Sequence, residues 1–307
     1  MRALLRLIAA IPAGAGYVLA GFAYILVYHL LRYRRATVRE NLATAFPERS
    51  AGELARIERA SYRHLCNLFI EVLRSTRMPQ KDFFERVSFR NPELLFAATD
   101  NLASQAIILL IHQGNWEWTL HSAMQHLGVT VDPVYKPLHS KFWDELILNA
   151  RSRFGAKPMT IATVGREVVR GRKRRRLIVL LADQAGPRHG GYWTDFLNRP
   201  ASFFRGPDKL ARSLKLPLFF AQCRRLSQGY YEIEFHKLSL PPHEAQGDAL
   251  LQAYVDMAER CIAEEPETYL WTNRRWKKKP PDDWPTGRDD DAQPESASAS
   301  APVEPLH

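Results

Sequence analysis

An uncharged apolar stretch near the N-terminus limits how this chain can fold. Residues 7–31 contain no Asp, Glu, Lys or Arg, and apart from Pro12 and three glycines they are mainly Leu, Ile, Val, Ala, Phe and Tyr. At about 1.5 Å per residue, a helix of this length reaches roughly 37 Å, which is enough to cross a bilayer with tilt. The stretch therefore predicts a membrane anchor helix within residues 1–35.

Basic residues flank this stretch unevenly. Two arginines precede it, whereas four follow it: Arg32, Arg34, Arg35 and Arg39. Because the more positive flank of a membrane helix stays in the cytoplasm, the body of the chain is expected on the cytoplasmic side. Two other interpretations stay open: a signal peptide that is cleaved, and a helix that is buried or lies in the membrane interface without crossing it.

The charge of the chain is distributed unevenly. Residues 1–281 carry 42 Lys and Arg against 26 Asp and Glu, a net charge of +16, whereas residues 282–307 carry seven acids and one base. The basic part suits nucleic acid, an anionic lipid surface or an acidic carrier protein. The acidic segment 282–307, rich in Pro, Asp, Ser and Ala, is predicted to be a disordered tail. Three widely separated cysteines favour a reducing compartment and exclude a zinc site built on cysteine.

Helical and strand patterns alternate over residues 36–281, which we interpret as one domain. Ser50 and Glu53 have the spacing of a capping box and begin a helical pattern. Strands are predicted at residues 106–111, 129–135, 177–182 and 217–223, and helices at residues 116–127, 141–153 and 248–264. Residues 230–236 alternate and predict an antiparallel edge strand. This order predicts an α/β fold with a mostly parallel central sheet flanked by helices.

A histidine and a glutamate follow the first apolar strand, in the segment Ile111–Trp118 (IHQGNWEW). Five positions within one helix would separate His112 and Glu117 by about 140°, so we expect His112 on the turn before the helix. Gly114 permits a tight turn, and Asn115 can cap the helix. Glu117 would then reach back to the imidazole and orient it as a general base. A hydrogen-bonded structural histidine is the alternative.

This segment resembles the HX4(D/E) motif of glycerolipid acyltransferases, and its GNWE form resembles the bacterial lipid A late-acyltransferase branch. Further pieces follow in the family's order: RENL at 39–42 with AFPE at 45–48, YKP at 135–137, RSRFG at 151–155, LADQ at 181–184 and PETYLWTNRRWK at 266–277. Two positions depart from the family pattern, Gln113 after the motif histidine and Asn273 before the late arginine pair. They concern the acceptor more than the chemistry.

The resemblance implies acyl transfer from a thioester to a hydroxyl of a lipid A precursor at the inner membrane. The implied catalytic residues are His112 as general base, Glu117, Arg151 and Asp183. The residues implied to bind substrate are Asn115, Trp116, Lys136, Gln184, Arg274 and Arg275. From the residues alone, an ion pair on a helix surface is the alternative for Arg151, and a structural strand-end cap is favoured for Asp183.

Several partners and groups follow from this interpretation. The donor is expected to be acyl carrier protein or acyl-coenzyme A, acting as a co-substrate, and no metal or other cofactor is required. Trp116, Trp118, Phe203 and Phe204 are candidates for an acyl channel, although aromatic residues are more often core. Two basic runs, at 170–176 and 277–279, could contact lipid headgroups, lipid phosphates or the carrier protein.

Rival functions lack sequence support. A membrane-tethered nucleic-acid-binding protein would use the same basic residues, but the sequence has no helix-turn-helix, zinc-finger or RNA-recognition signature. A serine hydrolase would need a GxSxG turn, which does not occur. A relative within the family that acylates an aminolipid, a phospholipid or a pigment headgroup stays open, because the motifs describe the catalytic machinery and not the acceptor.

Overall fold

The computed structural model describes residues 9–243, 247–282 and 284, and a seven-stranded sheet lies at its centre. In sheet order, its strands are β1 (Val87–Phe89), β9 (Tyr230–Ser239), β8 (Leu218–Ser227), β2 (Ala106–Leu110), β5 (Arg176–Leu181), β3 (Thr130–Tyr135) and β4 (Met159–Thr160). All neighbouring pairs are parallel except β8 with β9. The predicted α/β fold with a mostly parallel sheet is confirmed.

Helices connect and cover these strands. In chain order they are α1 (Ala13–Tyr24), continued by a π-helix (Ile25–Leu30), α2 (Arg35–Ala45), α3 (Ala51–Ser75), α4 (Gln80–Arg86), α5 (Glu93–Ala98), α6 (Trp116–His126), α7 (Lys141–Arg151), α8 (Val164–Arg170), α9 (Gly206–Leu214) and α10 (Ala249–Glu264). Short 3₁₀ turns cover Ser152–Phe154 and Pro266–Thr268. An antiparallel hairpin of β6 (Tyr192–Phe196) and β7 (Arg199–Phe203) lies apart from the main sheet.

The apolar runs of the sequence form the buried strands. All five residues of β2 are buried, because helices cover both faces of the sheet there. The capping box is also confirmed: the Ser50 hydroxyl accepts from the Glu53 amide at 3.3 Å, and the Glu53 carboxylate accepts from the Ser50 amide at 2.9 Å. One strand prediction is wrong in part. Strand β9 is antiparallel to β8, but it is not an edge strand, because β1 pairs with its other side.

Helix α1 and its π-helical continuation pack along α3. The Cβ that a side chain at Gly16 would carry lies 3.1 Å from Ile70, so the two helices approach closely there. The segment Ala13–Leu30 has a mean hydropathy of 1.4, and 22% of it is buried. The face turned away from α3 exposes apolar side chains: Val18, Phe22, Ile25, Leu26 and Leu30. This one helix is long and apolar enough to cross a membrane, a property shared by some core helices and signal sequences, so the span stays a prediction.

The arginines after this helix make contacts within the protein. Arg35 and Arg39 donate to opposite oxygens of the buried Glu58 carboxylate, at 3.1 Å and 2.9 Å. Arg34 donates to the main-chain oxygen of Thr272 at 2.8 Å. These contacts give the arginines a structural role besides any effect on membrane orientation. The predicted domain boundaries stay predictions, and the predicted tail lies outside the described residues except for Asp282 and Trp284.

Candidate active site

The centre of the candidate site is a contact between His112 and Asp183. Leu110 of β2 and Leu181 of β5 are paired in register, so the residues two positions further along each chain meet at the carboxyl edge of the sheet. The Nδ1 of His112 lies 2.7 Å from Oδ1 of Asp183, and the main-chain amide of His112 donates to Oδ2 at 3.1 Å. One carboxylate thus fixes both the backbone and the ring of the histidine.

This contact determines which ring nitrogen is available. With Nδ1 protonated and donating to Asp183, Nε2 carries the lone pair, and it accepts from the Gln184 side-chain amide at 3.2 Å. The His112 side chain is 13% exposed and that of Asp183 is 1% exposed. Burial opposes ionisation of Asp183, but the His112 ring and the two hydrogen bonds outweigh it and lower the pKa of this carboxyl. The geometry is that of a general base with its orienting carboxylate.

Glu117 does not orient His112, so this part of the sequence prediction is wrong. Its carboxylate forms a bidentate ion pair with Arg151 at the end of α7, with distances of 2.9 Å from Nε and 2.5 Å from Nη2. Burial opposes ionisation of Glu117, but the Arg151 guanidinium outweighs it and lowers the pKa of this carboxyl. Glu117 lies in the first turn of α6, and its side chain points toward α7. The Arg151 guanidinium there compensates the charge of the buried carboxylate.

Trp116 connects these two pairs. Its ring meets the His112 ring edge-on with centroids 5.0 Å apart, and its indole N–H donates to Oε1 of Glu117 at 3.2 Å. The half-buried ring also lines a narrow cleft between α3 and residues 268–272, together with Leu65, Leu68 and Leu270. Trp116 therefore lies between the His112 ring and this cleft, and its role in substrate binding stays a prediction.

The turn between β2 and α6 is built as expected from Gly114. This residue has a φ of +63°, and a Cβ would lie 2.6 Å from the Cys223 sulfur. The predicted role of Asn115 in substrate binding stays a prediction, and its side chain makes contacts within the fold. Asn115 is fully buried, its Oδ1 caps α6 by accepting from the Trp118 amide at 2.9 Å, and its Nδ2 donates to Glu71 at 2.8 Å.

Three of the other predicted binding residues are exposed near this edge. Lys136 follows β3, Gln184 contacts the histidine, and Arg274 lies in the late segment that follows the 268–272 strip. Nothing in their positions opposes a role in binding, which stays a prediction. Gln113, one of the two departures from the family pattern, is buried and donates to the Cys261 carbonyl at 2.9 Å, so its side chain does not reach the surface.

Arg275 is buried and makes contacts within the fold, and its role in binding stays a prediction. It is 2% exposed, it donates to the Ser202 carbonyl at 2.7 Å, and its guanidinium lies 4.4 Å from the centre of the Phe203 ring. Of the candidate residues for an acyl channel, Trp118 and Phe203 are each 1% exposed. Both belong to the core, as the alternative interpretation of these aromatic residues has it.

The basic run at 170–176 lies away from His112. Arg176 begins β5 and Asp183 follows its end, so the run is at the opposite edge of the sheet. Arg174 and Arg176 pair with the fully buried Asp132 carboxylate at 3.3 Å and 3.0 Å. Part of this run therefore stabilises the fold. In the second run, Lys278 donates to the Gly186 carbonyl at 2.5 Å, close along the chain to Asp183.

Two contacts around the candidate site were not predicted from the sequence. The pairing of His112 with Asp183 could have been found from the equal position of each residue after an apolar strand, had the two strands been known as neighbours. The buried Glu71, which contacts the turn through Asn115, gives no motif signal, because it lies inside the amphipathic pattern of α3. In the part of the chain that the structure describes, no cluster of three or more His, Cys, Asp or Glu side chains could hold a metal ion.

The whole of this site lies within the match to a single family model. The model described as Bacterial lipid A biosynthesis acyltransferase matches residues 1–278. The chain belongs to this family. The lipid A biosynthesis acyltransferases are membrane-associated in bacteria, which agrees with the apolar helix at the N-terminus. A search of curated proteins finds no match.

Proposed function

We propose that this family member transfers a fatty acyl chain from an acyl thioester to a hydroxyl of a lipid A precursor, with His112 as general base. The observation that carries the proposal is the orientation of the His112 ring. Its Nδ1 is bound to Asp183, so Nε2 is the ring nitrogen left to take a proton, and it faces the partly open side of the site. Membership of the lipid A acyltransferase family supports the reaction class and the class of acceptor.

The reaction balances without a covalent intermediate on the protein. Nε2 of His112 takes the proton of the acceptor hydroxyl as its oxygen attacks the thioester carbonyl, which forms a C–O bond and a tetrahedral oxyanion. Collapse of this species breaks the C–S bond, and the imidazolium returns its proton to the leaving thiolate. The products are an ester and a free thiol. Asp183 stabilises the imidazolium during these steps.

The oxyanion needs hydrogen-bond donors that the fold has not already used. The main-chain amides of His112, Gly114 and Trp118 are bound to other acceptors. This favours the amides of Trp116 and Glu117 at the start of α6 or the Arg151 guanidinium, whose Nη1 takes no part in the bidentate pair with Glu117. The Gln184 amide occupies the position next to Nε2 that the acceptor hydroxyl would take, so the hydroxyl displaces it on binding.

The donor is acyl carrier protein in this proposal. Lys277, Lys279 and Arg274 are exposed on the segment that also contacts Gly186, so positive charge lies on the same side of the fold as Asp183. An acidic carrier protein complements this charge. The basic run at 170–176 is a weaker docking candidate, because it lies at the other edge of the sheet. The proposal includes a catalytic domain on the cytoplasmic side of the inner membrane, where acyl carrier protein occurs.

A transfer assay with purified protein tests the proposal. The protein in mixed micelles is given a lipid A precursor and either acyl carrier protein or coenzyme A carrying the same acyl chain, and the products are identified by mass spectrometry. We expect one added acyl chain, an ester linkage and a preference for the carrier protein. Acylation of an added phospholipid or aminolipid in place of the precursor would support the same chemistry and overturn the acceptor.

A matched pair of variants tests the role of His112 in the same assay. His112→Ala should abolish transfer, whereas His126→Ala, at a half-buried position stacked on Phe84, should retain it. Transfer by His112→Ala at the wild-type rate would overturn the general-base role. Retention on DNA with no acyl transfer by the wild type would favour a nucleic-acid-binding protein instead.

A further inference from the structure

A buried carboxylate joins four separate parts of the fold beside the catalytic turn. Glu71 of α3 is fully buried. Its Oε1 accepts from the Tyr17 hydroxyl at 2.9 Å, and its Oε2 accepts from Asn115 Nδ2 at 2.8 Å and from the Tyr231 hydroxyl at 2.7 Å. These donors come from α1, from the turn before α6 and from β9. All three are neutral groups, and burial raises the pKa of the Glu71 carboxyl.

Glu71 holds the beginning of α6 in two ways. Its side chain binds Asn115, the residue that caps α6, and its main-chain oxygen accepts from the indole N–H of Trp118 at 3.0 Å. Asn115 lies between His112 and Glu117 in the sequence. The contacts that these two residues make with Asp183 and Arg151 therefore both depend on where this turn lies. A change at the Glu71 carboxylate therefore moves the cap first and the neighbouring residues with it.

The same carboxylate is bound by the N-terminal helix. Tyr17 belongs to α1, whose outer face exposes apolar side chains. The tyrosine fits into a tight space, because a Cβ at Gly229 would lie 2.0 Å from its hydroxyl oxygen. Gly229 has a φ of +76° in the turn between β8 and β9, at the carboxyl edge of the sheet. The Tyr17 hydroxyl is thus fitted to one acceptor in a space that only glycine leaves open.

We propose that Glu71 is a positioning residue through which the seating of the apolar N-terminal helix holds the catalytic turn in place. The chain of contacts runs from Tyr17 to Glu71 to Asn115, and it rests on the function proposed above for His112. Loss of the Tyr17 hydroxyl leaves Oε1 of this buried carboxylate without its hydrogen-bond donor, and a buried carboxylate that lacks a donor reorganises. Contact of α1 with lipid would in this way be felt at the active site.

A pair of conservative substitutions on one helix tests the coupling. Tyr17→Phe removes only the hydroxyl that binds Glu71, whereas Tyr24→Phe is a matched control, since Tyr24 is also buried on α1 and stacks on Tyr28 without contacting the turn. We expect Tyr17→Phe to lower kcat roughly tenfold with little change in KM, as the loss of a hydrogen bond to a charged group would do. Tyr24→Phe should leave both parameters close to wild type.

Hydrogen exchange supplies a readout that does not depend on turnover. In the same micelles, Tyr17→Phe should speed amide exchange in peptides covering residues 114–118, and Tyr24→Phe should not. In the background of Glu71→Gln, adding Tyr17→Phe should cost much less than it does alone, because both changes act through one contact. Equal behaviour of the two tyrosine variants in kcat and in exchange would overturn the proposal.

The outcomes separate this inference from the proposed function. If the wild type transfers no acyl chain, the function fails, and the exchange data still decide whether Tyr17 holds the turn. If the wild type is active and His112→Ala is inactive, but Tyr17→Phe behaves like Tyr24→Phe, the function stands and the coupling fails.

Discussion

His112 and Asp183 are bound to each other through both the ring and the main chain of the histidine. The carboxylate takes Nδ1–H on one oxygen and the His112 amide on the other, at 2.7 Å and 3.1 Å. The orientation of the ring is therefore tied to the register of β2 against β5, and not to the helix that carries Glu117. Asp183 thus has the orienting role that the sequence suggests for Glu117.

Replacement of Asp183 by Asn should lower kcat strongly. An amide would donate toward Nδ1 and move the ring proton to Nε2, which then cannot accept the proton of the acceptor. We expect a loss of about 10²- to 10⁴-fold in kcat, the range of general-base catalysis, with a smaller effect on KM. Steady-state kinetics in mixed micelles would measure kcat. A kcat within about threefold of the wild type would contradict the assigned orientation of the ring.

Replacement of Glu117 by Gln should lower the free energy of unfolding more than Asp183→Asn does. It leaves the Arg151 guanidinium, 16% exposed, without its carboxylate partner. Breaking a buried ion pair from one side costs about 3–5 kcal/mol, so the urea midpoint should fall clearly. The double variant Glu117→Gln with Arg151→Met should recover part of that loss. No recovery in the double variant would mean that the pair is not the source of the effect.

Two glycines with the same backbone conformation give a matched test of the turn. Gly114 and Gly128 have φ values of +63° and +61°, so alanine is strained by a similar amount at either position. At Gly128 the added Cβ meets nothing within 4 Å, whereas at Gly114 it lies 2.6 Å from the Cys223 sulfur and 2.8 Å from the Cys223 carbonyl oxygen. Gly114→Ala should therefore reduce kcat and stability well beyond Gly128→Ala, and similar values for both would contradict the packing described.

Acid should destabilise the protein from about pH 6.5 downward, because two histidines are buried in the neutral form. Burial lowers the pKa of His64 to about 3 and that of His121 to about 4. A histidine whose pKa is lowered by folding stabilises the folded state fully above its pKa in the unfolded chain, near 6.5. This stabilisation is lost as the pH falls toward the pKa in the folded state. Each such histidine adds a slope of about 1.4 kcal/mol per pH unit in this window.

The pH effect can be assigned with one substitution. His121 lies between Phe83 and Phe154, and neither ring nitrogen has a partner among the described residues. His121→Phe should flatten the pH dependence of the urea midpoint between about pH 6.5 and 4, and His126→Phe, at a half-buried position, is the control for replacing a histidine by phenylalanine. Below about pH 4, the lowered pKa values of Asp183 and Glu117 add a further loss that both variants keep. An unchanged slope in His121→Phe would show that this histidine is not titrating on unfolding.

The strands and helices around the site could be predicted from sequence because each carries a strong local signal. The apolar run before His112 and the run before Asp183 both form the expected strands. Their adjacency could not be predicted. Chain order places β3 and β4 between them, whereas the sheet places β5 directly beside β2. The contact between His112 and Asp183 depends on that order, which is set by long-range packing.

The short elements and the side-chain partners were beyond the sequence for other reasons. Strands β1 and β4 have three and two residues, too few for any periodicity. The sequence predicts the capping role of Asn115, but it gives no sign that the other end of the same side chain binds Glu71. The partner of Glu117 depends on α7 ending near α6, where Arg151 reaches it. Such choices between possible partners follow from tertiary packing.

The most direct test of the central claim is mass spectrometry of lipid A from cells that lack the gene and are complemented with wild type, His112→Ala or Asp183→Asn. If this protein acylates a lipid A precursor through His112 held by Asp183, the deletion removes one acyl chain. Wild type then restores it, His112→Ala does not, and Asp183→Asn restores it weakly at most. Full restoration by His112→Ala, at protein levels matched to the wild type, would contradict the account.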